Sequence, residues 1–281
     1  MENEKTSVAL VIPSWTGDVG PLMDSINAQT LQPQRVEVVV GVSPNGRARN
    51  VGVARTTGDI LIFVDDDAIL GDEHVLQNLV QPLLKDDTIG VTGASKLIPP
   101  DSSWFQRWVA REVPRIEHAV VDKQLETNPD PPTYYSEITT TCCAMRRRVF
   151  DEAGGFDEGL VRGVDTEFFV RVRTLGYRFV LVPQTWTWHP APSTLGALLR
   201  KHFWYGVGHA QEVRRDPARA KGLARWPLLN FLFRTAILLP NVFFPFSYSS
   251  PDRKFGFMPL KAITSYTAAI GYTWEWLTGT E

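Results

Sequence analysis

Three apolar runs in the first 65 residues constrain the fold more than anything else in this 281-residue chain. Val8–Ile12, Val36–Val42 and Ile60–Val64 are short and almost purely aliphatic, and segments of helical periodicity over Gly20–Gln29 and Ala48–Thr57 separate them. Strands apolar on both faces belong inside a parallel sheet covered by helices. The alternation therefore predicts an α/β fold with a mostly parallel sheet flanked by helices. Pro13 stops the first run, a Ser43–Gly46 turn cluster ends the second, and Gly58 closes the second helix.

The third run continues directly into Asp65, Asp66 and Asp67. Ligands of open α/β sheets bind beyond the carboxyl ends of strands. Three adjacent carboxylates there repel one another unless a cation or hydrogen bonds offset the charge. In an extended segment Asp65 and Asp67 face one way while Asp66 points elsewhere. Hard oxygen ligands suit Mg²⁺ or Mn²⁺, which bridge carboxylates to substrate phosphates. The plain alternative is a solvated acidic turn that caps the next helix.

Further along, the pattern predicts a helix over Asp72–Leu84, a strand over Ile89–Ala94 and loops with a helix over residues 99–136. A strand over Ile138–Met145 follows. Asp165–Leu175 is amphipathic, with Phe168, Phe169, Val172 and Leu175 on one face. Phe179–Val182 is a short strand that Pro183 ends. These elements predict a body over residues 1–190. Residues 191–281 form a helical extension.

Composition narrows the function. At 43% hydrophobic and 21% charged residues the chain can bury a sizeable core, which excludes intrinsic disorder. A net charge of -2 gives no basic field for nucleic acid. The charge is unevenly spread, however. Residues 1–190 carry 18 basic and 26 acidic side chains, and residues 191–281 carry 11 and 5. Cys142 and Cys143 are adjacent, so no structural disulfide is expected and a reducing compartment fits. The start of the chain lacks the basic and apolar pattern of a signal peptide, and no run of ~20 apolar residues predicts a membrane crossing.

Seven blocks, in order, resemble the family 2 glycosyltransferases. They are Val8-Ala-Leu-Val-Ile-Pro-Ser14, Ala48-Arg-Asn-Val-Gly52, Gly58-Asp-Ile-Leu-Ile-Phe-Val-Asp-Asp-Asp67, Met145-Arg-Arg-Arg-Val-Phe150, Gly154-Gly-Phe-Asp-Glu158, Gly163-Val-Asp165 and Arg171-Val-Arg-Thr-Leu-Gly-Tyr177. The resemblance covers residues 7–190. It implies a GT-A fold and a nucleotide-diphosphate sugar donor, with residues 1–98 as the nucleotide-binding half of the body and 99–190 as the acceptor-binding half. Asp65 and Asp67 fall on the family's DxD pair, which binds the nucleotide ribose and a Mn²⁺ or Mg²⁺ ion on the diphosphate. Asp66 is grouped with the donor side. Pro13, Ser14 and Trp15 fall where the nucleotide base is contacted, and Arg49 falls in the segment that approaches the nucleotide phosphates. His189 resembles the histidine that completes the metal site. Asp165 falls on the catalytic base of inverting members, although a helix N-cap is the ordinary role of such an aspartate.

Two departures matter. The aspartate pair that often follows the second strand is replaced by Val40-Gly-Val-Ser43, which leaves Ser43 or the backbone to contact the base. The acid that usually precedes the catalytic base is Val164. On the acceptor side the candidates are Trp104, Trp108, Tyr134, Tyr135 and Thr139–Cys143, among them Thr141 and Cys142, because aromatic faces suit sugar rings, although core packing explains any one of them equally well. Glu167, a first-turn helix acid favoured by the helix dipole, and Lys201, in a basic-aromatic helix with Arg200, join that group.

The extension carries two uncharged stretches. Thr235–Pro251 is interrupted by Pro240 and Pro245, and Ala262–Trp274 is followed by Trp276. With the cationic balance they predict monotopic attachment to an anionic membrane surface at the inner face of the cell membrane, on the cytoplasmic side. An apolar homodimer interface is the competing use of the same helices. The combined expectation is a metal-dependent inverting transferase acting on a hydroxyl of a lipid-linked or surface-glycan acceptor. A polyprenyl-phosphate glycosyltransferase, a metal-dependent phosphohydrolase and an inactive sugar-nucleotide-binding module stand as alternatives.

Overall fold

The computed structural model describes residues 6–127, 138–220, 222–243 and 256–279. In chain order the elements are β1 (Val8–Ser14), α1 (Gly20–Asn27), β2 (Arg35–Val40), α2 (Asn45–Ala54), β3 (Ile60–Val64), β4 (Ile69–Leu70), α3 (Val75–Lys85), β5 (Ile89–Leu97) and α4 (Trp104–Glu112). They continue with β6 (Leu125–Glu126), β7 (Cys142–Arg146), α5 (Arg147–Glu152), α6 (Val164–Thr174), β8 (Arg178–Trp188), α7 (Leu195–Arg215), α8 (Pro227–Ala236), α9 (Leu238–Phe243) and α10 (Pro259–Thr278).

The chain divides into two compact units. One comprises Met1–Pro99, Glu117–Gly159 and Val164–Pro190. The other comprises Pro100–Ile116, Leu160–Gly163 and Ala191–Glu281.

The first unit is built on a single sheet with strand order β2-β1-β3-β7-β5-β8-β4, and β6 pairs with β8. β2, β1, β3, β5 and β8 point the same way, while β7 runs antiparallel between β3 and β5. This is the α/β class that the apolar runs predict. β1 and β3 are buried along their whole length. Helix α3 lays Leu76, Leu79, Val80 and Leu83 on that core. On a second cluster Phe156 packs 4.4 Å from Phe168, and Phe169 meets Phe179 edge-on at 5.2 Å.

Two prolines do not end strands as the sequence predicts. β1 continues through Pro13 to Ser14, because its pairing with β3 stops at Val11 and Pro13 faces a partner only on β2. β8 continues through Pro183 to Trp188. The β5–β8 register slips between Gly93/Leu181 and Ser95/Trp186, and this bulge removes Pro183 from the ladder. Two further boundaries shift. α2 starts at Asn45, inside the segment read as a turn, and Leu175 lies beyond α6 in an exposed position instead of on its buried face.

In the second unit α7 and α10 pack along one another. Gly206 faces the Ala268 carbonyl and Gly271 faces the Phe203 carbonyl, so the two backbones approach where no side chain fits. Glu112, buried at the end of α4, accepts a hydrogen bond from the Leu260 backbone N–H at 2.8 Å. It thereby satisfies one of the unpaired donors at the start of α10. α8 and α9 lie on α10.

Candidate active site

Two antiparallel ladders assemble a cluster of charged groups at the carboxyl edge of the sheet. β7 pairs with β3 so that Val64 is opposite Cys142. One step further, the Asp65 backbone N–H donates to the Thr141 carbonyl at 3.1 Å. The Thr141 hydroxyl returns a bond to Asp65 Oδ2 at 3.0 Å. β4 pairs with β8 so that Ile69 is opposite Trp188. Asp67, two residues before Ile69, is thus brought beside His189, one residue after Trp188. The His189 backbone N–H is fixed on the Leu97 carbonyl at 2.8 Å.

The resulting distances are short. His189 Nε2 lies 3.3 Å from Asp67 Oδ1 and 4.0 Å from Asp65 Oδ2. One ligand atom from each of Asp65, Asp67 and His189 falls within 4.8 Å of the others. Two carboxylate oxygens and an imidazole nitrogen at that spacing fit Mn²⁺ or Mg²⁺. The donor chemistry therefore suits the ion that the strand-end aspartates predict.

Asp65 is held from both sides. Arg49, on α2, is 3% exposed and donates from Nη2 to Asp65 Oδ1 at 2.7 Å. Its guanidinium lies 5.7 Å from the centre of the Phe156 ring, and its buried Nε makes no hydrogen bond. Arg49 thus meets Asp65 itself, a partner that the sequence does not name. Asp66 turns toward the Ser14 hydroxyl, and burial raises its pKa above the usual carboxylate range, with the charges of Asp67 and Asp65 adding to the rise.

The other residues singled out on this unit are placed as follows. Pro13 and Ser14 are buried at the end of β1, and the Ser14 hydroxyl accepts from the Gly17 N–H at 2.9 Å. Trp15 is 70% exposed on the same edge, and Ser43 is exposed beyond β2. Asp165 sits in the first turn of α6, one residue inside the helix, where its Oδ1 accepts from the Thr166 N–H at 2.9 Å. Burial pushes the Cys142 thiol to about 12 and that of Cys143 well above its ordinary value. Neither is a thiolate nucleophile near neutral pH.

Glu167 is engaged by Arg171, which donates from Nε at 2.8 Å and from Nη2 at 2.7 Å. The same guanidinium also donates to the Gly155 carbonyl at 2.7 Å. It thereby secures the Gly154–Gly155 turn, whose positive φ angles of 78° and 69° suit glycine. Asn50 does related work from α2. Its side chain donates to the Phe156 carbonyl at 2.8 Å and accepts from the Phe156 N–H at 2.9 Å. Sequence reasoning overlooks both braces, although Asn50 and Arg171 lie inside quoted blocks.

In the other unit Trp104 is 72% exposed on α4, with its ring 5.1 Å from that of Trp108. The Trp108 indole N–H donates to Glu112 at 2.5 Å. Arg200 is exposed and Lys201 half-buried on α7. Tyr134 and Tyr135 lie outside the described residues.

The family model described as Glycosyltransferase like family 2 matches residues 24–206. The chain belongs to the family 2 glycosyltransferases. Among its relatives is the O-antigen chain rhamnosyltransferase RfbN of Salmonella typhimurium. It is 24% identical over 245 residues, which cover 76% of this chain and 77% of that one. The probable glycosyltransferase YdaM of Bacillus subtilis is 24% identical over 236 residues, 79% of this chain and 54% of its own. Among solved structures, the mannosyltransferase PcManGT from Pyrobaculum calidifontis, in complex with GDP-Man and Mn²⁺, superposes with a TM-score of 0.57. Its identity is 15%, and the match covers 99% of this chain and 89% of that one. The fold class and the enzyme class thus agree with the expectation drawn from the sequence blocks.

Proposed function

We propose that this glycosyltransferase moves a sugar from a nucleotide-diphosphate donor to a hydroxyl of a lipid-linked or surface-glycan acceptor, with inversion at the anomeric carbon. The convergence of Asp65, Asp67 and His189 within 4.8 Å carries the reading. These three residues would hold a divalent cation, which supplies charge neutralisation of the departing diphosphate. Manganese in the solved mannosyltransferase and the imidazole nitrogen beside two carboxylates favour Mn²⁺, with Mg²⁺ as its substitute.

The chain's own groups do the rest. Pro13, Ser14, Trp15 and Ser43 border the place for the nucleotide base, with the exposed Trp15 ring offering a stacking face. Asp66 and Asp65 address the ribose side. Arg49 keeps Asp65 oriented by its 2.7 Å bond. Asp165 accepts the proton of the acceptor hydroxyl as the bond to the anomeric carbon forms, because an alcohol is too weak a nucleophile near neutral pH. That need for a base favours a hydroxyl acceptor over a polyprenyl phosphate, whose oxygen is already ionised. The rhamnosyltransferase of O-antigen synthesis is a relative that fits a surface-glycan product. We place the reaction at the cytoplasmic face of the cell membrane, with the chain attached peripherally.

A thermal-shift panel of UDP-, GDP- and dTDP-sugars, each with and without Mn²⁺, tests the reading. A donor present at ~100 times its Kd stabilises the native state by about 2.7 kcal/mol. One nucleotide sugar should raise the melting temperature, and only with metal present. A panel in which none does so, or in which the metal makes no difference, counts against the reading.

A further inference from the structure

The helical unit carries an inverted helix. The side of α8 that faces α10 holds its polar groups. Arg234 Nη1 donates to Ser265 Oγ at 2.9 Å, the Thr235 hydroxyl donates to the Tyr266 oxygen at 3.3 Å, and Phe231 stacks on the Tyr266 ring. No residue of α8 is buried. Its leucines point the other way: Leu228, Leu229 and Leu232 are exposed, and so are Leu239 and Phe243 on α9. Leu232 is 63% exposed and Leu239 76%. Leu228, Leu229 and Leu232 share one side of α8, and Leu239 and Phe243, four residues apart, share one side of α9. Phe257 extends the stripe, with its ring 5.7 Å from that of Phe243, and the exposed Trp226 stands at the other end. An ordinary surface helix hides such a stripe and shows its charges; this one does the reverse.

The charges around the stripe identify what covers it. Residues 222–243 contain Arg225 and Arg234 and no carboxylate. Residues 256–279 contain a single acid, Glu275. It is buried, and its carboxylate faces Arg214 Nη1 at 3.5 Å, while the Arg214 Nη2 donates to its backbone carbonyl at 2.7 Å. Glu212 on α7 is also buried. Glu112, Glu212 and Glu275 are thus withdrawn from the surface of this unit, while Asp101 and Asp216 are exposed, as are Arg215 and Arg225. A leucine stripe flanked by arginine and tryptophan, with no acid among residues 222–243, matches the acyl and headgroup layers of an anionic bilayer. No helix among the described residues is long and apolar enough to cross a membrane.

We infer that the α8–α9 stripe is a membrane-docking surface. It lies in the plane of an anionic leaflet, with Leu228, Leu229, Leu232, Leu239 and Phe243 in the acyl boundary and Arg225 and Trp226 at the headgroups. This deepens the peripheral attachment proposed above by naming the surface that makes it. It is independent of the donor chemistry.

Vesicle flotation of the full chain tests it, with vesicles of phosphatidylcholine alone and of equal parts phosphatidylcholine and phosphatidylglycerol. The wild type should float with the mixed vesicles and bind the neutral ones about tenfold more weakly, the loss expected for one to two cations facing anionic lipid. The variant Leu232→Glu/Leu239→Glu should stay at the bottom of both gradients while keeping the wild-type circular dichroism spectrum. A milder Leu239→Ser variant should lie between. Asp67→Asn should float as the wild type does, which separates docking from donor binding. Wild type that stays at the bottom with both lipids, or that forms a lipid-free dimer abolished by the glutamates, overturns the assignment. If the wild type also transfers sugar to a water-soluble acceptor, the catalytic reading survives that failure.

Discussion

The two units place their polar and apolar groups in opposite ways. The sheet unit buries β1 and β3 along their whole length, leaves the edge strand β2 partly exposed, and gathers its charge where the strands end. There Arg49 and Thr141 grip one carboxylate, and an imidazole stands beside another. The helical unit draws Glu112 and Glu275 into a cap and a salt bridge and leaves the leucines of α8 and Leu239 outside. The first arrangement is that of a site which holds a small charged ligand. The second is that of a surface which another apolar phase must cover. The difference teaches that burial, more than hydrophobicity, separates a core from an interface.

The largest expected effect lies at the base. Asp165→Asn should lower kcat by ~10²–10⁴-fold if the carboxylate takes the acceptor proton, with donor binding unchanged. Steady-state kinetics together with donor titration check this. Wild-type turnover in that variant would return Asp165 to the role of a helix-turn acid.

The contrast between the units can be tested with leucines alone. Leu79→Ala, in the core under β5, should cost about 2–5 kcal/mol of unfolding free energy. Leu232→Ala, on the outward stripe, should change it by less than about 0.5 kcal/mol. Urea unfolding of both variants gives the comparison directly. Equal costs would mean that the stripe is covered within the chain.

The same outlook explains what was legible in the sequence. The sheet unit could be read because its strands are buried on both faces. Val8–Ile12 and Ile60–Val64 carry an unbroken apolar signal, the acid triplet ends the third of the runs, and the family resemblance points to Asp65, Asp67 and His189, which the ladders bring within 4.8 Å of one another. What could not be read depends on partners distant in the chain. The bulge that lets β8 pass Pro183 exists only opposite Gly93 and Ser95. The hold on Asp65 needs Arg49 from 16 residues upstream and Thr141 from 76 residues downstream. In the helical unit the apolar runs are plain in the sequence. Which side of α8 faces outward is not, because only its contacts with α10 decide that.

A pH effect distinguishes the helical unit further. Burial lowers the His202 pKa to about 4, and the charge of Lys201 adds to the shift. The folded-state value lies below the unfolded value of about 6.5, so the unfolded chain takes up the proton first and stability is lost as pH falls from about 6.5 toward 4. At pH 5 the loss should be about 2 kcal/mol relative to pH 7.5, and His202→Phe should flatten that part of the profile. Urea midpoints across the range measure it.

The smallest catalytic effect concerns the hold on Asp65. Thr141→Val should weaken Mn²⁺ binding about tenfold, and Arg49→Lys by a similar factor, because outer partners of a ligating carboxylate are worth ~10–100-fold in metal affinity. Thr141→Ser should restore the wild-type value.

Titration of the full chain with Mn²⁺ in the presence of a nucleoside diphosphate, followed by electron paramagnetic resonance of the free ion, reaches the centre of this account. One ion should bind to the wild type, and Asp67→Asn and His189→Ala should each reduce its affinity at least about tenfold. Undiminished binding in both variants would contradict the site.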